Sequence, residues 1–139
     1  MIQRIQSVWL LLAAAFDAVT FRFPIYSGDW MKDNTPSMIE LNANTTIWFT
    51  ILTVLAGGLA FANIFLFKNR PMQLRLCYLG IFITLALLTL YGLEIGNAFY
   101  SGTIALWSIF YIGILIFFIL AVRGIRRDQK LIRSLDRLR

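Results

Sequence analysis

Four long apolar stretches, separated by short polar segments, dominate the chain. A helix needs about 20 mainly apolar residues to cross a hydrocarbon core about 30 Å thick. Ile47 to Phe67 runs 21 residues without a charge, Leu76 to Leu93 runs 18, and Thr103 to Val122 runs 20. Ile5 to Phe23 is also long enough to span, although it carries Asp17 and Arg22 toward its far end. The pattern predicts helical spans over residues 5–23, 47–67, 74–93 and 103–122, followed by a tail over 123–139. The expected architecture is all-α: an integral membrane four-helix bundle that forms one domain over residues 1–139. Trp9, Trp48 and Trp107 fall near span ends, where an amphipathic ring suits the membrane interface. The segment between the first two spans, with Trp30, Pro24 and Pro36, is read as either an ordered cap or a plain connector.

Composition agrees with a membrane protein and removes several kinds of chemistry. Of 139 residues, 59% are hydrophobic and 14% charged, against about 25% charged in soluble domains. Cys77 is the single cysteine and histidine is absent, so the chain has no internal disulfide and no zinc site of Cys/His type. A serine or cysteine nucleophile would lack its commonest base. Glu94, Asp17 and Asp29 are available carboxyl groups, but no pair has a defining spacing. The chain is therefore read as non-catalytic and without a cofactor or metal.

Charge supplies the orientation. Arg4 precedes the first span, Lys68, Arg70 and Arg75 lie between the second and third, and seven basic residues follow Val122. With alternating spans, 11 of the 13 Lys and Arg residues fall on one side, leaving Arg22 and Lys32 on the other. By the positive-inside rule the basic side is cytoplasmic, which places both termini there in a bacterial inner membrane. A cleaved signal peptide is the rival for the first segment, but its basic region is one arginine, so a retained span is expected. Cleavage would leave the orientation of the later segments unchanged.

Within the spans, Ala56 with Ala60 and Gly58 with Ala62 pair small residues four apart, which favours close helix approach. Asn63 follows one turn on as an interhelical hydrogen-bond donor. Thr84, Thr89 and Ser108 can bond their own backbone and need no ligand. Asp17 needs more, because an unpaired carboxylate inside a span is expensive. It shares a helical face with Ser7, Ala14 and Thr20, and is expected to hydrogen-bond a neighbouring helix or to snorkel with Arg22.

The tail reads as a basic amphipathic helix. At 100° per residue Ile125, Leu131, Ile132, Leu135 and Leu138 share an arc of about 140°, interrupted by Asp128 and Arg139. Arg123, Arg126, Arg127, Lys130, Arg133 and Arg137 cluster opposite, within about 120°. Such a helix can lie on an anionic membrane surface, dock into a protein groove, or tuck its leucines beneath the bundle. Gly124 would allow a bend. Nucleic acid is not an expected partner, since no aromatic residues interleave the basic ones for stacking.

The opening Met1-Ile2-Gln3-Arg4-Ile5-Gln6-Ser7, the middle Asn69-Arg70-Pro71-Met72-Gln73-Leu74-Arg75-Leu76-Cys77 and the closing Arg127 to Arg139, RDQKLIRSLDRLR, together resemble a family of small membrane proteins from Bacteroidota known as domain of unknown function 4293. The resemblance spans the chain and implies a four-span inner-membrane protein, with no activity, cofactor or catalytic residue attached. All three segments fall on the basic side. The expected working surface is thus formed by Arg4, Lys68, Arg70, Arg75, Arg126, Arg127, Lys130, Arg133 and Arg137, engaging a protein partner or anionic lipid headgroups as an adaptor or scaffold. The alternative is a small proton-coupled or cation transporter that uses Asp17. The small multidrug exporters also carry a carboxylate in the first of four short helices. Theirs is a glutamate near mid-helix, with short loops and weak charge bias, unlike Asp17 and its surroundings here.

Overall fold

The computed structural model describes residues 5–30, 37–66 and 68–136, with side chains through Ser134. Four helices form: α1 (Ile5–Val19), α2 (Ile47–Phe65), α3 (Arg70–Ala98) and α4 (Ser108–Asp136). Three strands accompany them, β1 (Tyr26–Trp30), β2 (Ser37–Leu41) and β3 (Phe99–Ile104). The fold is therefore not all-α. The segment after α1 and the α3–α4 connection make one antiparallel sheet of order β2-β1-β3. The predicted fourth span also begins late, because Thr103 and Ile104 belong to β3 and the helix starts at Ser108.

The sheet is possible because β1 and β3 meet at two glycines. Gly28 pairs with Gly102, and a Cβ on Gly102 would come within 2.7 Å of both Gly28 Cα and the Tyr26 ring. Side chains at this crossing would force the strands apart. Tyr26 and Trp30 instead lay their rings edge-on to Phe99, and Leu41, fully buried, secures β2 from the other flank.

Each helix packs against two others, α1 and α3 each lying between α2 and α4, so the bundle is a four-cornered, up-and-down arrangement. Since β1 bonds both β2 and β3, the end of α1, the start of α2, the end of α3 and the start of α4 share one end of the bundle. The start of α1, the α2–α3 connection and the end of α4 share the other. Helix α3 opens with Pro71 in its first turn, where the missing N–H is not needed. Helix α1 closes at Val19 with a hydrogen-bonded turn to Phe23, and Pro24 ends helical continuation.

Helices α2, α3 and α4 are each long and apolar enough to cross a membrane. Helix α1 is shorter at 15 residues, or about 22 Å. Large apolar side chains such as Leu11, Val54, Phe61, Phe82 and Ile112 face outward, a distribution suited to lipid. The interior divides in two along the bundle axis: one cluster centred on Leu10, Cys77, Phe118 and Ile125, the other on Phe49, Tyr91 and Tyr111 under the sheet.

Candidate functional site

Asp17 lies toward the sheet end of α1 with 4% of its surface exposed. The inward face of α1 is Gln6, Leu10, Ala13 and Asp17, continued by Thr20. Ser7 and Ala14, which the sequence places on the same strip, are half-buried at its margin. The carboxylate reaches α2 because Gly57 stands opposite, and a Cβ there would overlap it. Neither expected partner is present among the described residues: no side chain donates to the carboxylate, and Arg22 is exposed without pairing to it.

A cavity of about 10 Å³ opens beside Asp17, lined on its polar side by Thr20, Thr53, Thr84 and Tyr111, so all four helices contribute. Thr20 Oγ1 donates to the Asp17 carbonyl at 2.6 Å. Thr84 Oγ1 donates to Gly80 O at 2.8 Å, as its sequence context suggested. Tyr111 OH is shared between Thr20 O at 3.1 Å and Phe23 O at 2.9 Å, tying α4 to the turn after α1. Thr53 Oγ1 and the neighbouring Tyr91 OH are buried without a hydrogen-bond partner.

Toward the other end, Asn63 bridges α2 and α3 as expected of an interhelical donor, giving Nδ2 to Gln73 O at 3.1 Å and to Cys77 Sγ at 3.0 Å. Gln73, which the sequence did not single out, returns Nε2 to Asn63 O at 3.1 Å. That bond satisfies a carbonyl in the last turn of α2, where no intrahelical donor remains. Of the small-residue pairs, Ala56 and Ala60 are buried in contacts while Gly58 and Ala62 face outward.

The basic residues gather at this end. Lys68, Arg75, Arg126, Arg127, Lys130 and Arg133 are exposed and Arg70 is half-buried; Arg4 and Arg137 lie outside the described residues. Arg126 sits 5.5 Å over the Tyr78 ring. Helix α4 runs without a break through Gly124, which packs on Gln6 of α1. That register sets Ile125 level with Ile5, and the residues beyond extend past the first described residue of α1. Ile125 is buried, but Leu131 and Ile132 on the same arc are 52% and 41% exposed. Leu131 and Ile132 therefore do not tuck beneath the bundle, while Leu138 and the side chain of Leu135 fall outside what is described.

Four helices with an apolar exterior, a polar centre and a basic end define a small α-helical bundle of membrane type, closed at one end by a sheet. The chain belongs to the family described as domain of unknown function (DUF4293), whose model matches residues 2–138. No curated protein and no solved structure matches it.

Proposed function

We propose that this chain is a multi-pass inner-membrane protein with both termini in the cytoplasm, acting as a non-catalytic adaptor whose protruding basic helix docks a protein partner. Its fourth span is α1 together with the turn to Phe23. The orientation rests on the charge asymmetry: Lys68, Arg70, Arg75 and the tail share one end, while Asp29, Glu40 and Glu94 belong to the other.

The observation that carries the adaptor reading is the uninterrupted course of α4. Leu131 lies 23 residues beyond Ser108, where α4 begins, or about 34 Å along the axis, past a hydrocarbon core of about 30 Å. Leu131 and Ile132 thus leave the core still exposed, at the depth where a partner or a headgroup can meet them. An apolar pair flanked by Arg127, Lys130 and Arg133 suits a groove that is apolar at its floor and acidic at its rim. Transport draws support from Asp17, but a cavity of about 10 Å³ gives no path to a drug-sized solute.

Crosslinking and mass spectrometry on gently extracted protein test the reading, comparing wild type with Leu131→Ser/Ile132→Ser and with Arg127→Glu/Arg133→Glu. All four residues are exposed, so the bundle is left intact. A stoichiometric partner with an acidic contact surface, lost in both variants, is the expected result. A partner retained by both, or tail crosslinks confined to lipid headgroups, refutes it.

A further inference from the structure

We propose that the cavity beside Asp17 is a binding site for one monovalent cation of sodium's size. The polar groups around it are rich in lone pairs and poor in protons. Thr20 gives its hydroxyl proton to Asp17 O, Thr84 gives its own to Gly80 O, and Tyr111 gives its own to Thr20 O and Phe23 O. The Asp17 carboxylate, when ionised, has none. Thr53 and the adjacent Tyr91 keep uncommitted protons, and both oxygens are buried without a partner. No cationic side chain of the described residues is among those lining the space. Hard cations favour such oxygens, whereas a water molecule would bring two more protons but no charge.

Size and charge point the same way. A cavity of about 10 Å³ is the room of one water molecule, too small for an organic cation. One carboxylate calls for one positive charge, because an unneutralised anion at this depth is strongly disfavoured. A proton on Asp17 would supply the charge but leave the cavity and Thr53 Oγ1 unfilled; a cation answers both. The other titratable groups facing Asp17 are Tyr91 on α3 and Tyr111 on α4, and α2 presents none near the cavity. Competition between sodium and a proton is thus a contest for Asp17.

The test is thermal unfolding of the purified full-length chain in detergent, in NaCl, KCl or choline chloride at equal ionic strength. The wild-type midpoint is expected to rise with sodium concentration and to stay flat in choline. Below the carboxyl's titration, each unit of acidification should weaken apparent sodium affinity about tenfold, as one proton displaces one cation. Asp17→Asn should abolish the sodium response, and Thr53→Val, which removes a buried unpartnered hydroxyl and so should raise stability without sodium, should weaken sodium binding several-fold. If Asp17→Asn fails to fold, the wild-type ion series and Thr53→Val still decide. A midpoint that follows pH but ignores sodium identifies Asp17 as a protonated carboxyl and overturns the proposal. So does an equal response to sodium and choline, or an unaltered sodium response in Thr53→Val.

Discussion

Gly80→Ala tests the packing of α3 on α4, and its magnitude follows from the geometry. A Cβ at position 80 would lie 2.5, 2.6 and 3.0 Å from Cε1, Cζ and Cδ1 of Phe118. Favourable carbon contacts are about 3.5–4.0 Å, so the ring must withdraw by about 1 Å. Phe118 is fully buried in the cluster with Leu10, Cys77 and Ile125 and has little room to do so. Overpacking of this kind destabilises by about 1–3 kcal/mol, or roughly a 5- to 150-fold change in the unfolding equilibrium. Gly58→Ala is the control: nothing lies within 4 Å of that position, and the added methyl should be neutral or stabilise by up to about 1 kcal/mol. Reversible unfolding in mixed micelles, titrated with a denaturing detergent, measures both. The sharper test is the pair Gly80→Ala/Phe118→Leu. Shortening the ring relieves the overlap, so the double variant should be more stable than the sum of the singles predicts by about 1–2 kcal/mol. Strict additivity, or equal effects of Gly80→Ala and Gly58→Ala, would refute the assigned helix contact.

Gly57→Ala should drive the Asp17 carboxylate off α2 and reduce the response of the unfolding midpoint to sodium, whereas Gly92→Ala, with open space around it, should leave that response intact. Tyr111→Phe removes the hydroxyl that binds Thr20 O and Phe23 O; it should destabilise by about 1–3 kcal/mol, with faster amide exchange confined to the α1–β1 turn. Gly102→Ala would bring a Cβ within 2.6 Å of Ser27 O and should loosen β1–β3 pairing, read as lost protection in residues 26–30 while α2 and α3 keep theirs. Orientation is open to cysteine labelling: Ser134→Cys should react with an impermeant maleimide only after the inner membrane is breached, and Ser101→Cys should react in intact spheroplasts. Cys77 is buried and is left in place.

Helices α2, α3 and α4 are legible because their length and apolar uniformity alone identify them. That uniformity also hides how they pack. A helix apolar on every side has no polar face to contrast with a core-facing one, so nothing marks which side turns inward. Hence spacing alone pairs Gly58 with Ala62 as readily as Ala56 with Ala60, although the first pair faces outward. On α1, spacing puts Asp17 and Thr20 on the inward strip but Ser7 and Ala14 where Gln6 and Ala13 stand one position earlier. Asp17 stands out as a charge in an apolar run, but Thr53, Tyr91 and Tyr111 lie on three other helices, and no spacing within one sequence joins them. The sheet is hidden for a different reason. Strand β1 reads Tyr-Ser-Gly-Asp-Trp, without β-branched residues, and its partner Ser101 lies 72 positions away from Asp29. Ile104, the last residue of β3, is apolar and merges with the run that follows it.

The sheet and the polar centre depend on each other. Tyr111 holds Thr20 O and Phe23 O, fixing the turn from which β1 departs, and the chain between them carries Pro24 and Ile25. Ile25 in turn bonds Leu41 at its N–H and Ala105 at its carbonyl, gathering β2 and the approach to α4 onto that same turn. The residues that set Asp17 in its cavity are therefore held from above by the sheet. From the side they are held by helices whose small residues, Gly57 and Ala56, permit close approach. A pocket fixed from several directions and lined by acceptors can select an ion by size, because its oxygens cannot relax onto a larger one. At the opposite end α4 extends past the first described residue of α1, with Leu131 and Ile132 exposed. The two proposals follow this asymmetry: the ion site lies in the polar core, and the partner surface lies where Leu131 and Ile132 are exposed beside Arg127, Lys130 and Arg133.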